Sequence, residues 1–287
     1  MKNSLQPPKH IFELYVAIPA SITLTEHTLL LKTLKVGIIA RALAIYRVDN
    51  IILYIDREEA RSEINLIRDI LEYLATPPYL RRKLIPLKDT LRYVGILPPL
   101  KIPSHPKTKS VHDMEYREGI VLTVKGGIAL VDVGLDKPLK MRVRSIHIKP
   151  GHRIIVKIVK KGDRLECFPE KPKHYWCYTV SIARSLREVL ELKKWSLKIA
   201  TSRYGESIIK LRSKIKGNLL KSERVLVAFG SPFEGLWEIA KRENIKLDEA
   251  FHYIANTIPY QGTETVRTEE ALYATLEALC LMEAENL

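Results

Sequence analysis

A chain of 287 residues that is 46% hydrophobic can build one large core or two modest ones, and it holds no apolar run near the ~18 residues a membrane span needs. The net charge of +14 points to a polyanion as partner, with a solvated Lys-rich surface as the bland alternative. Cys167, Cys177 and Cys280 are far apart and match neither a disulfide framework nor a zinc pattern, and "MKNSLQPPKH" lacks the apolar segment of a signal peptide, so a cytoplasmic protein without metal or membrane attachment is expected.

The first hundred residues read as α/β. "FELYVAIPA" is a strand over residues 12–18, ended by Pro19, and Ser21, Thr23 or Thr25 can cap the next helix. "EHTLLLKTLKVGIIARALAIYRV" places Leu30, Leu34 and Ile38 at helical spacing. "NIILYID" is an apolar run of the kind found in the middle of a parallel sheet. In "REEARSEINLIRDILEYLA" the apolar face is Ile64, Ile67, Leu71 and Leu74, and "TPPYL" stops the helix.

From about residue 91 to 173 the pattern becomes short strands with Gly and Pro turns. "GIVLTVKGGIALVDVGL" reads as a hairpin on Gly126-Gly127, and "GHRIIVKIVKKGDRLECF" as another pair around Lys161-Gly162-Asp163. About five strands in this space predict a small β-barrel of the OB-like kind, inserted between two parts of an α/β domain at 1–90 and 174–287. The charge respects this division: residues 100–173 carry a net +9 and 174–218 a net +7, while 219–287 carry −6. A basic middle beside an acidic end suits a nucleic-acid binder with a separate working domain. Lys140, Arg142, Arg144, Lys149, Arg153, Lys157, Lys160 and Lys161 are the basic residues that barrel strands would present to RNA. With only Tyr116 and Phe168 as aromatics there, phosphate contacts are expected over base stacking.

The α/β pattern resumes at "YTVSIARSLREVLE". Three strands then each lead into a small polar stretch: "ATSRYG", "FGSPFEGL" and "NTIPYQGTETVRTEEAL". In a parallel sheet ligands sit beyond the carboxyl ends of strands. In the second stretch Ser231 reads as a helix cap with Pro232 at the first position, which leaves Gly235 inside the helix at a cost of about 1 kcal/mol relative to Ala. In the third, Thr268 reads as the cap of a last helix with Leu272, Leu276 and Leu279 on its buried stripe. No GxxxxGK[ST] or GxGxxG occurs, so neither ATP nor NAD has support.

Gly37-x-x-x-Arg41, "FGSPFEGL" and "IPYQGTETVRTEEAL" occur in the order of the three motifs of the SPOUT superfamily of RNA methyltransferases, and nearly the whole chain resembles its branch with an inserted OB-like domain, archaeal and eukaryotic enzymes associated with 3-methyluridine in ribosomal RNA. The resemblance implies an α/β sheet whose C-terminal segment, about 196–287, threads a trefoil knot. It implies a homodimer, and S-adenosylmethionine held by Thr201, Ser202, Arg203 and Gly205, by Phe229, Gly230, Ser231 and Pro232, and by Asn256, Thr257, Ile258, Gln261, Gly262 and Thr265. Arg41 matches the superfamily's catalytic arginine. Arg267 stands where 2′-O-methylating relatives carry Asn, and Lys35 stands where an Asn often precedes the glycine. Arg41 or Arg267 would stabilise a uracil anion and Glu264 would accept its proton. Transfer to ribose 2′-O or guanine N1, and a non-catalytic ribosome-assembly factor on the same fold, are the alternatives.

Overall fold

The computed structural model describes residues 6–106, 111, 114–143, 148–162 and 164–285. The chain divides into two units. One comprises Ala75–Leu87, Lys101–Trp176 and the first residues through Pro8; the other comprises Lys9–Leu74, Lys88–Leu100 and Cys177–Leu287.

The larger unit is a six-stranded sheet, parallel throughout, built from β1 (Glu13–Pro19), β2 (Asn50–Tyr54), β8 (Thr179–Ala183), β9 (Leu197–Ser207), β10 (Arg224–Ala228) and β11 (Tyr253–Asn256). The strand order is β11-β9-β10-β1-β2-β8. The isoleucine run of β2 is buried along its whole length, as an interior parallel strand requires.

Helix α1 (Leu29–Ile45) is apolar on all sides, so its periodicity does not say which face is inward. Val36, Ile39, Ala40 and Leu43 are buried, whereas Leu30, Leu34, Ile38 and Ile45 remain 38–48% exposed. Its cap is Thr28, which accepts from Leu31 N at 3.2 Å. Ser21 and Thr23, expected as caps, instead donate from buried positions to Asp56 (2.6 Å) and Glu63 (2.7 Å). Helix α2 (Glu63–Ala75) buries Ile64, Ile67, Leu71 and Leu74, the face its spacing predicts.

The smaller unit contains α3 (Pro78–Leu84) and a closed barrel, β3-β4-β5-β7-β6, of β3 (Glu115–Lys125), β4 (Ile128–Asp132), β5 (Leu139–Arg142), β6 (Arg153–Lys161) and β7 (Arg164–Pro169). Gly126 and Gly127 turn the β3–β4 hairpin with φ of 55° and 74°, a region open to glycine at no steric cost. Alternate residues, among them Val121, Val131, Met141, Val156, Ile158 and Cys167, fill the interior. Tyr79 of α3 donates to the Glu118 carbonyl at 2.6 Å, fixing the helix to the barrel wall.

The C-terminal part adds α4 (Leu186–Glu191), α5 (Ile208–Leu219), α6 (Leu236–Arg242), α7 (Leu247–Ala250) and α8 (Thr268–Ala284). The cap of α6 is Gly235, not Ser231; the Ser231 hydroxyl accepts from Phe233 N and Glu234 N and closes a turn before the helix. Gly235 therefore stands at a helix entrance rather than in its interior. Thr268 is the first residue of α8 and does not cap it: its hydroxyl donates to the Gly230 carbonyl at 3.4 Å, and the Arg267 N–H is satisfied by Glu270 at 2.9 Å. Among the described residues no helix is long and apolar enough to cross a membrane.

Candidate active site

The carboxyl ends of β9, β10 and β11 lie side by side, and each supplies one wall of a single cavity of about 680 Å³. Residues 201–204, 229–235 and 256–258 line it, with Gln261 and residues 265–268 closing one side.

The first wall is not a loop after a strand. Ala200 pairs with Ile254, and Glu206 pairs with the next residue, Ala255. The five residues between them leave the ladder as a bulge, and a bulge re-aims side chains at the point where pairing is interrupted. Gly205 lets the bulge re-enter: a Cβ there would lie 2.5 Å from the Ile254 carbonyl oxygen. Asn256 ties this wall to the third, donating to the Arg203 carbonyl at 3.0 Å while its Oδ1 accepts from Ile258 N at 3.0 Å. Thr201 donates to the Ala228 carbonyl at 3.1 Å, linking the first wall to β10.

The second wall is held from below. Tyr54, fully buried, donates to the Phe229 carbonyl at 2.6 Å. Arg242 reaches both Glu234 and the Asp56 carbonyl, and the Arg57 guanidinium lies 4.5 Å above the Phe233 ring. A Cβ on Gly230 would lie 3.0 Å from Leu236 N, so a larger residue there requires its own turn to give by a few tenths of an ångström.

The third wall is braced by Gln261, which donates to the carbonyls of Thr263 and Glu264 (2.8 and 3.1 Å), and by Arg203, which donates to the Glu264 carbonyl at 3.0 Å. Thr257 and Thr275 of α8 share a hydrogen bond of 2.8 Å.

Arg267 lines the cavity, as do Thr201, Ser202, Arg203, Phe229, Gly230, Ser231, Pro232, Asn256, Thr257, Ile258, Gln261 and Thr265. Gly205 lies at the base of the bulge rather than in the lining, and Gly262 has open space where a Cβ would stand. Arg41 and Glu264 are not in the lining. Arg41 donates to the Leu100 carbonyl at 3.0 Å, and the Glu264 carbonyl is engaged by Arg203 and Gln261.

Three further lining residues lie outside the segments expected to form the site: Thr25, Glu26 and Lys35. Lys35 is 6% exposed and donates to Thr25 Oγ1 (2.8 Å) and Glu26 Oε1 (2.9 Å). The Lys35 hydrogen bond, reinforced by its charge, by the Thr25 hydroxyl and by the charge of Arg267, outweighs burial and holds the Glu26 carboxyl below its ordinary range. The one pointer in the sequence is Lys35 itself, a cation two positions before Gly37 on a helix that is otherwise apolar there.

On the barrel, Lys140, Arg142, Lys149, Arg153, Lys160 and Lys161 are exposed and Lys157 is partly exposed; Arg144 lies outside the described residues. Arg153, Lys157 and Lys161 are each paired with a barrel glutamate, Glu118, Glu170 and Glu166.

A profile of the family described as "Putative RNA methyltransferase" matches residues 13–279. The chain belongs to this RNA methyltransferase family. It is 33% identical to an uncharacterized protein of Haloarcula marismortui over 280 residues, covering 93% of this chain and 99% of that one. It is 30% identical to the 28S rRNA (uridine-N(3))-methyltransferase of Drosophila melanogaster over 308 residues, covering 93% of this chain and 61% of the relative. With the human 28S rRNA (uridine-N(3))-methyltransferase the identity is 30% over 305 residues, covering 93% of this chain and 78% of the other. As an RNA methyltransferase the protein needs a methyl donor. Among the described residues no group of three or more His, Cys, Asp or Glu could hold a metal.

Proposed function

We propose that the protein transfers the methyl group of S-adenosylmethionine to N3 of a uridine in ribosomal RNA. The observation that carries this is the convergence of three polar stretches, distant in sequence, on one cavity in a chain of an RNA methyltransferase family. Relatives named for uridine-N3 methylation of 28S rRNA support the choice of base and atom.

The cavity fits the donor. Its volume of about 680 Å³ falls in the range of roughly 300–1,000 Å³ usual for small-molecule sites. Phe229, Pro232 and Ile258 offer apolar surface to a purine, and Ser202, Ser231, Gln261 and Thr265 offer hydroxyl and amide groups to a ribose and an amino-acid end. When bound, the donor supplies a methyl group already activated on a sulfonium. The protein's work is to align a nucleophile behind that methyl, exclude water and stabilise the negative charge that the uracil gains on losing its N3 proton. Arg267, in the cavity lining, is better placed for this task than Arg41.

Arg41 enters through a second copy of the chain. It lies on the same face of α1 as Leu30, Leu34, Ile38 and Ile45, an exposed apolar stripe suited to a homodimer interface. In this reading Arg41 acts across that interface. The strand order, with β11 at the edge beyond β9 and α8 packed against α1, supports a SPOUT-type sheet with a C-terminal knot. The basic five-stranded barrel supports an OB-like RNA-binding module, and the charge and cysteine usage support a cytoplasmic setting.

The test is mass spectrometry of ribosomal RNA nucleosides from cells with and without the protein, joined to calorimetry with S-adenosylhomocysteine. Loss of one 3-methyluridine together with micromolar binding is expected. Unchanged 3-methyluridine, or no binding of S-adenosylhomocysteine, overturns the proposal.

A further inference from the structure

The cavity has a fourth wall that the three strand-end segments do not account for. Lys35 of α1 sits there, buried, with its ammonium within hydrogen-bond distance of Thr25 and Glu26 and 3.7 Å from Glu269 Oε1. Glu269, the second residue of α8, is 6% exposed, and its Oε2 has no hydrogen-bond partner among the described residues. Arg267 lines the same cavity and its charge acts on Glu26. Lys35 thus faces two carboxylates, Glu26 and Glu269, the second with an unused buried oxygen, while Arg267 acts on the first. A buried ion pair that served only to anchor α1 would have its lone pairs satisfied.

The chemistry of the three groups is also specific. Lys35 donates to Glu26, Glu26 accepts, and Arg267, on the same cavity, can only donate. The Watson–Crick edge of uracil presents the complement: acceptor O2, donor N3–H, acceptor O4. Cytosine presents an acceptor at N3 and a donor at the exocyclic amine, and it mismatches at both places.

We propose that Lys35, Glu26 and Arg267 read the imide edge of the target uridine, and that Glu26 is the group that accepts its N3 proton. This rests on the reading of the protein as a uridine-N3 methyltransferase. In the step, the N3–H bond breaks and its proton goes to a Glu26 carboxylate oxygen. The electron pair left on N3 forms the bond to the methyl carbon. The sulfur–methyl bond breaks with its electron pair kept by sulfur, which goes from sulfonium to thioether, and Glu26 later returns its proton to solvent. The cluster keeps its net charge throughout the proton transfer, because the uracil anion replaces the Glu26 carboxylate as partner of Lys35 and Arg267. The cations that hold Glu26 ionised are therefore the ones that acidify the imide, which is how a weak carboxylate can take this proton.

The experiment uses the full-length protein and a ribosomal RNA fragment that the wild type methylates, made with uridine or with 5-fluorouridine at the target. Fluorine at C5 acidifies N3–H and reports its ionisation by 19F chemical shift. E26Q is expected to slow single-turnover methylation of the uridine RNA by about 100-fold or more while binding S-adenosylhomocysteine normally, and to recover most of the loss on the 5-fluorouridine RNA. Without donor, the 19F signal of the bound RNA is expected to show a larger ionised fraction with wild type than with K35M or with R267M. E26Q at the wild-type rate on uridine RNA, or a 19F shift that none of these cations affects, overturns the assignment while leaving uridine-N3 methylation standing. A wild type that makes no 3-methyluridine overturns both.

Discussion

His10 Nδ1 lies 2.5 Å from a carboxylate oxygen of Glu283, joining the start of the sheet domain to the last helix across 273 residues. The other ring nitrogen lies 2.9 Å from the Tyr46 carbonyl, so both nitrogens face acceptors and the ring is held as imidazolium. Burial by itself would lower its pKa; hydrogen bonds to Cys280, Glu283 and the Tyr46 carbonyl override this and raise it from 6.5 to about 9. Glu283 is held below its ordinary range despite burial, by the His10 hydrogen bond and charge, the Ile11 N–H and Arg47. A raised folded-state pKa means that the His10 contribution is complete below 6.5 and fades as pH rises through about 9. It amounts to about 3 kcal/mol. Denaturant unfolding between about pH 6 and 9 should show that loss, and H10Q should remove most of it. A flat profile for the wild type would rule the latch out.

The glycines of the site separate by role. G205A brings a Cβ against the Ile254 carbonyl and should cost about 2 kcal/mol of stability together with binding of S-adenosylhomocysteine. G262A meets nothing within 4 Å and should unfold at the wild-type temperature. If Gly262 makes close contact with the donor, calorimetry on G262A shows weakened binding in a fully folded protein; unchanged binding removes it from the cradle.

The exposed stripe on α1 leads to a third expectation. I38E places a charge at the middle of Leu34, Ile38 and Arg41 and should convert a dimer to a monomer in analytical ultracentrifugation. Methyl transfer should fall at least tenfold with the cofactor affinity kept, because Arg41 no longer reaches the second site. A wild type that sediments as a monomer at micromolar concentration contradicts this.

RNA binding by the barrel should depend steeply on salt. With about four phosphate contacts the affinity falls about 50-fold between roughly 50 and 200 mM salt for a single strand. The contribution of each cation depends on what it already holds. Lys140 and Arg142 form no ion pair among the described residues, whereas Lys161 faces Glu166 at 2.8 Å. Removing Lys140 alone should flatten the salt slope more than removing Lys161 alone does, as read by fluorescence anisotropy. Equal effects of the two single variants would show that the pairing with Glu166 is irrelevant.

Local signals carried much of this protein. Gly126-Gly127 announced its hairpin, the run in β2 its interior strand, and Ile64, Ile67, Leu71 and Leu74 the inward face of α2. The segments lining the cavity were legible because Gly, Pro and hydroxyl residues before an amphipathic helix are uncommon without a reason. What local signals did not carry depends on pairing between distant segments. The 201–205 bulge exists because Ala200 and Glu206 meet consecutive residues of β11, which no feature of "ATSRYG" encodes. Ser231 looked like a helix cap because a turn and a helix entrance use the same chemistry. That Lys35 faces the cavity stayed hidden because α1 is apolar all round and its inward side is set by packing, and Glu26, before the helix, belongs to no periodic pattern.

The central pair of the sheet has a cost in time. Arg224 of β10 meets Glu13 of β1 at 3.2 Å across 211 residues. At about 5–20 residues per second, a ribosome that has just released β1 needs about 10–40 s more to deliver that neighbour. Until then one edge of the nascent strand has no partner and must be shielded from other chains. The barrel, whose strands all fall between Glu115 and Pro169, can close during this wait. Translation therefore finishes the module proposed to hold RNA before it finishes the one proposed to modify it.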